Sequence, residues 1–110
     1  MKLEHKPFAV IITPTSADLN LFVQQVTRQY TDLVDQNIII DLSTTIFVTL
    51  ETIKLFADLS KGHKKAKKSF VIVVHEVNLN KVSVKMTVVP TMQEAKDIIE
   101  IEEIERDLGI

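Results

Sequence analysis

Cysteine and tryptophan are missing from this chain, and the first absence narrows its chemistry. Without cysteine there is no disulfide, no thiolate nucleophile and no sulfur ligand for a structural zinc. Two glycines and three prolines in 110 residues leave little room for a glycine-rich phosphate cradle, and no G-x-x-x-x-G-K run is present. No apolar run exceeds about five residues, against the roughly 20 that span a bilayer, and the opening residues carry no signal-peptide pattern. Charge of neither sign dominates: 13 Lys and Arg stand against 15 Asp and Glu, a formal net charge of −2. Counterion release on a nucleic acid needs a concentrated basic face, so a general nucleic-acid binder is not expected. These gaps point to one soluble, cytoplasmic domain over residues 1–110, with no membrane contact, no metal and no cofactor.

What is present is a hydrophobic share of 45%, enough for a single two-layer core at this length. The chain is organised around Asn37 to Thr52, NIIIDLSTTIFVTLET. Ile38, Ile39 and Ile40 are β-branched and consecutive, which suits a parallel strand covered on both faces. Asp41 stands where that strand leaves the sheet. Apolar residues at Leu50, Ile53 and Ala57, with a second set at Phe56 and Leu59, predict a helix beginning near Thr49. Phe70 to Val74 restores strand character. The sum is a strand, a crossover helix and a parallel strand, a unit that almost always closes right-handed. Sites in such sheets form at the carboxyl ends of strands, which points to Ser43 to Thr52.

Around this unit the remaining elements read in order. Met1 to Lys6 is a frayed end or a short edge strand, and Phe8 to Ile12 is a strand bounded by Pro7 and Pro14. Thr15 or Ser16 is placed to cap the next helix. That helix carries Leu19, Phe22, Val23, Val26, Tyr30 and Leu33 on one stripe and packs on the sheet. The crossover helix runs into Lys61 to Lys68, where positive charge suits a helix carboxyl terminus. No aromatic residue interrupts that run to stack on a base, which speaks against an RNA patch. His63 within it is expected to be solvated, and His5, His63 and His75 show no metal or nucleophile spacing. Val82, Val84, Met86 and Val88 alternate with Ser83, Lys85 and Thr87, the pattern of an edge strand. Thr91-Met92-Gln93-Glu94 is a capping box opening a helix through Ala95, Ile98, Ile99, Ile101, Ile104 and Leu108. That helix is strongly acidic, and its isoleucines spread wider than one narrow stripe, which leaves part of it for a partner.

Asp41-Leu42-Ser43 closing the central strand, Phe47-Val48-Thr49-Leu50-Glu51-Thr52 entering the crossover helix and Thr91-Met92-Gln93-Glu94-Ala95 opening the last helix together resemble the STAS domain. That is the fold of bacterial anti-sigma factor antagonists and of the cytoplasmic tails of anion transporters. The resemblance spans about Phe8 to Ile99 and rests on short motifs. It implies an α/β fold with a mixed four- to five-stranded sheet and helices packed mainly on one face. In that family the corresponding run is Phe-Ile-Asp-Ser-Ser-Gly, and a kinase phosphorylates a serine at the start of the crossover helix. Here that serine falls on Leu50, the preceding aspartate on Thr49, the next serine on Glu51 and the glycine on Thr52. The phosphoacceptor is absent. Only His75 to Lys81 stands where the family usually has a third helix. The closing run is similar to that of small bacterial STAS-like proteins, some encoded beside a ribonuclease Z.

The resemblance therefore implies a non-enzymatic regulatory module that binds a protein partner, a regulatory kinase or an RNA-processing enzyme, as a monomer or weak homodimer. The partner-binding candidates are Ser43, Thr44, Thr49, Leu50, Glu51, Thr52 and Lys54. Thr49 and Ser43 are the candidates for modification, and no catalytic residue is assigned. The alternatives are an RNA-processing accessory that uses Lys61 to Lys68, and a STAS-like domain that binds a nucleotide or small ligand.

Overall fold

The computed structural model describes residues 1–45, 48–75 and 86–109. In chain order the elements are β1 Lys2–His5, β2 Val10–Thr13, α1 Leu19–Leu33, β3 Ile38–Asp41, α2 Leu50–Lys54, α3 Ala57–Lys65, β4 Phe70–Val73, β5 Thr87–Val89 and α4 Met92–Asp107. The five strands lie side by side in that same order. β1 pairs antiparallel with β2, and every other pairing is parallel. The isoleucine triplet therefore sits in the middle strand, with Ile39 opposite Ile11 on one side and Val71 on the other.

Consecutive side chains of a strand point to opposite faces, so a run of three isoleucines must find cover on both. It does. Ile38 and Ile40 face a core built with Val10, Ile12, Phe70 and Ile72, closed by Phe22 and Val26 of α1, Ile53 of α2 and Phe56. Ile39 faces the other way, into a smaller core of Ile11, Val71, Val73 and Val89 closed by Ala95 and Ile99 of α4. Among the described residues three of the four helical segments thus share one face, and α4 covers the other. Both crossovers, through α1 and through α2 and α3, advance the sheet in the same direction, so a common hand puts them on a common side.

Two local expectations need correction. The amide of Leu21 in α1 is capped by Asp18, whose Oδ1 accepts it at 3.1 Å, while Ser16 Oγ only steadies the Asp18 amide. Thr15 and Ser16 lie too far upstream, because the helix starts at Leu19. The crossover helix is broken: Leu55 N donates to Thr52 O and Phe56 N to Ile53 O, the tighter three-residue spacing, before α3 resumes. Leu50 and Ile53 of the first apolar set lie in α2, whereas its Ala57 opens α3 and the second set, Phe56 and Leu59, belongs to the cap and body of α3. The lysine run does hold a helix carboxyl terminus, since α3 ends at Lys65 and Lys67 takes φ +64°. There Lys67 N donates to Lys64 O and Lys68 N to His63 O, a Schellman turn with lysine where glycine is usual. Val82 and Val84 lie outside the described residues, as does the segment expected to turn after His75. Among the described residues Thr87–Val89 does form the far edge of the sheet.

His63 is not solvated but fully buried. It shares one face of its helical segment with Phe56 and Ser60, at the spacing i, i+4 and i+7. Its ring stands 6.1 Å from Phe70 and 5.4 Å from Tyr30, centroid to centroid, continuing a string of rings that starts with Phe22 and Phe56. Nε2 lies 2.7 Å from the Gln36 carbonyl oxygen, which can only accept, so Nε2 carries the proton. In the neutral ring Nδ1 is then the acceptor, and the Tyr30 hydroxyl donates to it at 2.7 Å. Burial holds the His63 pKa below 6.5; the Gln36 hydrogen bond opposes this, and the charges of Lys68 and Arg106 add to it.

The unfolded chain takes up a proton at this position near pH 6.5, where the folded chain still resists it. Stability is therefore retained above that pH and lost as the pH falls below it. Urea unfolding at pH 7.5 and 5.5 should show a drop for the wild type that is smaller in His63→Gln.

Candidate functional site

At the carboxyl ends of β2 and β3 the chain leaves the sheet in two loops that face one another across a cleft of about 710 Å3. Residues 14–20 form one wall, and Thr44, Thr45 and Thr52 stand on the other. The second wall is built by local hydrogen bonds. Leu42 is buried and its amide donates to Val73 O at 2.8 Å, which holds the chain to the sheet for one more residue. Asp41 Oδ1 then accepts from Ser43 N at 3.0 Å, an Asx turn, and Thr45 N reaches back to Leu42 O. This turns the backbone out of the sheet with its hydroxyls near solvent.

Thr49 ends the loop in extended conformation, and its Oγ1 accepts from Thr52 N at 3.3 Å. Leu50 is accordingly the first residue of α2, at the amino end of the crossover. Glu51 lies in the first turn, where the helix dipole favours an acid. Lys54 stands 3.9 Å from it in a solvent-exposed pair, which by itself adds little stability.

Of the residues expected at this site, Thr44 and Thr52 line the cleft. Ser43 is half-buried in the turn beneath it, and Thr49 is exposed at the cap with its Oγ1 3.2 Å from that of Thr52. Leu50 is half-buried, while Glu51 and Lys54 are exposed on the helix surface and are not part of the cleft lining. Phe47 lies outside the described residues. The facing wall of Pro14, Thr15, Ser16, Asp18 and Asn20 was legible only as a cap. Its signal was the same polar cluster, directly after an apolar strand.

The opposite ends of the strands carry a second polar group that no local pattern announces. Asn37, just ahead of β3, is buried. Its Nδ2 donates to Phe8 O at 3.0 Å and to Glu103 Oε1 at 2.6 Å, and its Oδ1 accepts from Ser69 N at 2.9 Å. The fully buried Ser69 donates its hydroxyl to Glu102 Oε1 at 2.5 Å and receives Arg106 at 3.3 Å. One end of α4 is thereby fastened to the amino ends of three strands. Beside this group lies a cleft of about 430 Å3 edged by Lys64, Lys67, Lys68, Glu102, Glu105 and Arg106. Lys64 is half-buried and donates to Thr87 Oγ1 at 3.0 Å; burial lowers its pKa, against the pull of Glu102. α3 and α4 both end at this cleft, so its cations also answer the negative ends of two helix dipoles.

Among the described residues no three His, Asp or Glu side chains gather in a group that could hold a metal ion, and no helix is long and apolar enough to cross a membrane.

Truncating Asn37 leaves the Ser69 amide and the Phe8 carbonyl unpaired. Asn37→Ala should cost about 2–3 kcal/mol of unfolding free energy, read from urea denaturation at neutral pH. Neither a scan against protein-family models nor a search of curated proteins finds a match for this chain.

Proposed function

We propose that this chain is a STAS-like, non-enzymatic regulatory module that acts in the cytoplasm and docks a protein partner on the carboxyl-end surface from Ser43 to Lys54. The observation that carries the reading is that Leu50 opens a helix beside a cleft; by the resemblance, this is the position of the phosphorylatable serine in STAS signalling proteins. The mixed sheet with three helical segments on one face supports the same frame. A leucine carries no phosphate, so docking here does not depend on modification of that residue. Glu51 supplies a fixed negative charge in the first turn of the helix, and Lys54 a positive one beside it. The partner is a regulatory kinase or an RNA-processing enzyme. The lysine run contributes less, because Lys64 is half-buried against Thr87 and His63 is inside the core.

Affinity capture from native lysate tests this reading with the wild type, Glu51→Lys and Lys54→Glu side by side. Both residues are exposed, so the variants keep the fold; a protein retained by the wild type and depleted at least about fivefold by each reversal is expected, since a charge at a docking rim is worth about 1 kcal/mol. Recovery indifferent to both changes counts against the surface. A second reading is favoured by the cleft's size, since about 710 Å3 lies in the range of small-molecule sites. A nucleotide bound there would raise the thermal midpoint of the wild type and not that of Thr52→Tyr, which fills the cleft.

A further inference from the structure

Helix α4 is apolar on two opposite sides. Ala95 and Ile99 point into the sheet and are fully buried. Ile101, Ile104 and Leu108 are 55%, 58% and 69% exposed. At about 100° per residue these three fall within about 60° of one another and on the far side from Ala95. They form a stripe over the last two turns. Acids border it, all exposed: Glu100 and Asp107 along one side, Asp97 at its amino end, and along the other side Glu105, which also edges the cleft of Lys64, Lys67 and Lys68. The two cations of this helix turn elsewhere, Arg106 to Ser69 and Lys96 over the Phe8 ring.

Both features of this stripe run against the isolated helix. Three large aliphatic side chains in water forgo the burial that stabilises their counterparts on the other side. Glu105 and Asp107 sit in the final turns, where the helix dipole favours cations and disfavours carboxylates. One kind of neighbour relieves both: an apolar ridge to cover the aliphatic stripe, with cations on either side of it. A second copy of α4 laid on the first would supply the ridge but would bring acid against acid. We infer that the outer face of α4 docks a basic amphipathic helix, whose leucine-like anchors at i, i+3 and i+7 meet Ile101, Ile104 and Leu108 and whose lysines or arginines meet Glu100, Glu105 and Asp107.

This surface lies across the sheet from α2, so it is independent of the docking face proposed above. Two turns of helix make a small contact, which sets the affinity in the weak, readily reversible range.

The test uses the full chain and three synthetic peptides, with binding followed by fluorescence anisotropy. One peptide is a leucine and lysine amphipathic helix, the second has the same composition in scrambled order, and the third replaces each lysine by glutamate. The wild type is expected to bind the first at least about tenfold more tightly than either control. Ile104→Ser, a substitution at an exposed position that keeps the fold, should weaken that binding about tenfold, as should Glu100→Gln combined with Glu105→Gln and Asp107→Asn. Glu51→Lys should leave it unchanged, which separates this surface from the other. Equal binding of the ordered and scrambled peptides, or of the wild type and Ile104→Ser, overturns the inference. So does concentration-dependent self-association abolished by Ile104→Ser, which would assign the stripe to a second copy of the chain.

Discussion

Burial of the central strands on both faces is the constraint from which the rest of this molecule follows. Val10, Ile12, Ile38, Ile39, Ile40, Val71 and Val73 all have almost no contact with solvent. A sheet of this kind has no side free for polar chemistry, because a polar group pointing up or down from it would enter an apolar core without a partner. Polar groups are driven to the two ends of the strands. At one end they open into a cleft walled by hydroxyls; at the other they close on themselves around Asn37 and Ser69.

The two ends differ in what their polar atoms do. The Asx turn at Asp41 and the cap at Thr49 use one oxygen each to shape the backbone, and leave the neighbouring hydroxyls of Thr44 and Thr52 at a surface. At the opposite end Asn37 engages both its oxygen and its nitrogen, so that end behaves as a fastening. His63 extends the fastening sideways, since the Gln36 carbonyl that receives its Nε2 proton belongs to the residue just before Asn37. A protein arranged in this way can alter the loops of one end without loosening the strands at the other.

How much of this was legible in the sequence depended on how far apart the interacting residues lie. The isoleucine triplet declared a strand covered twice over, and the structure puts it in the middle of the sheet. Thr91 read as a helix cap and a helix was expected to begin near Thr49, and each threonine accepts the amide three residues on. These features are encoded within a few neighbouring residues. His63 was misread because five lysines around it suggested a solvated run, although the spacing from Phe56 through Ser60 placed it on the inner face. The Asn37 group was invisible for a different reason: its partners Phe8, Ser69 and Glu103 are scattered along the chain, and only the completed sheet assembles them. The break between α2 and α3 has neither proline nor glycine to mark it.

The strand order has a kinetic meaning. Because the strands lie across the sheet in the sequence in which they occur along the chain, each one joins a neighbour already made, and none must wait for an insertion between two others. Each parallel pairing still has to close a long crossover first, Val10 meeting Ile38 and Ile38 meeting Phe70, a non-local closure associated with slow rather than rapid folding. A sheet of this kind can grow outward strand by strand as synthesis proceeds, with α4 arriving last to lock the amino ends of strands laid down long before it.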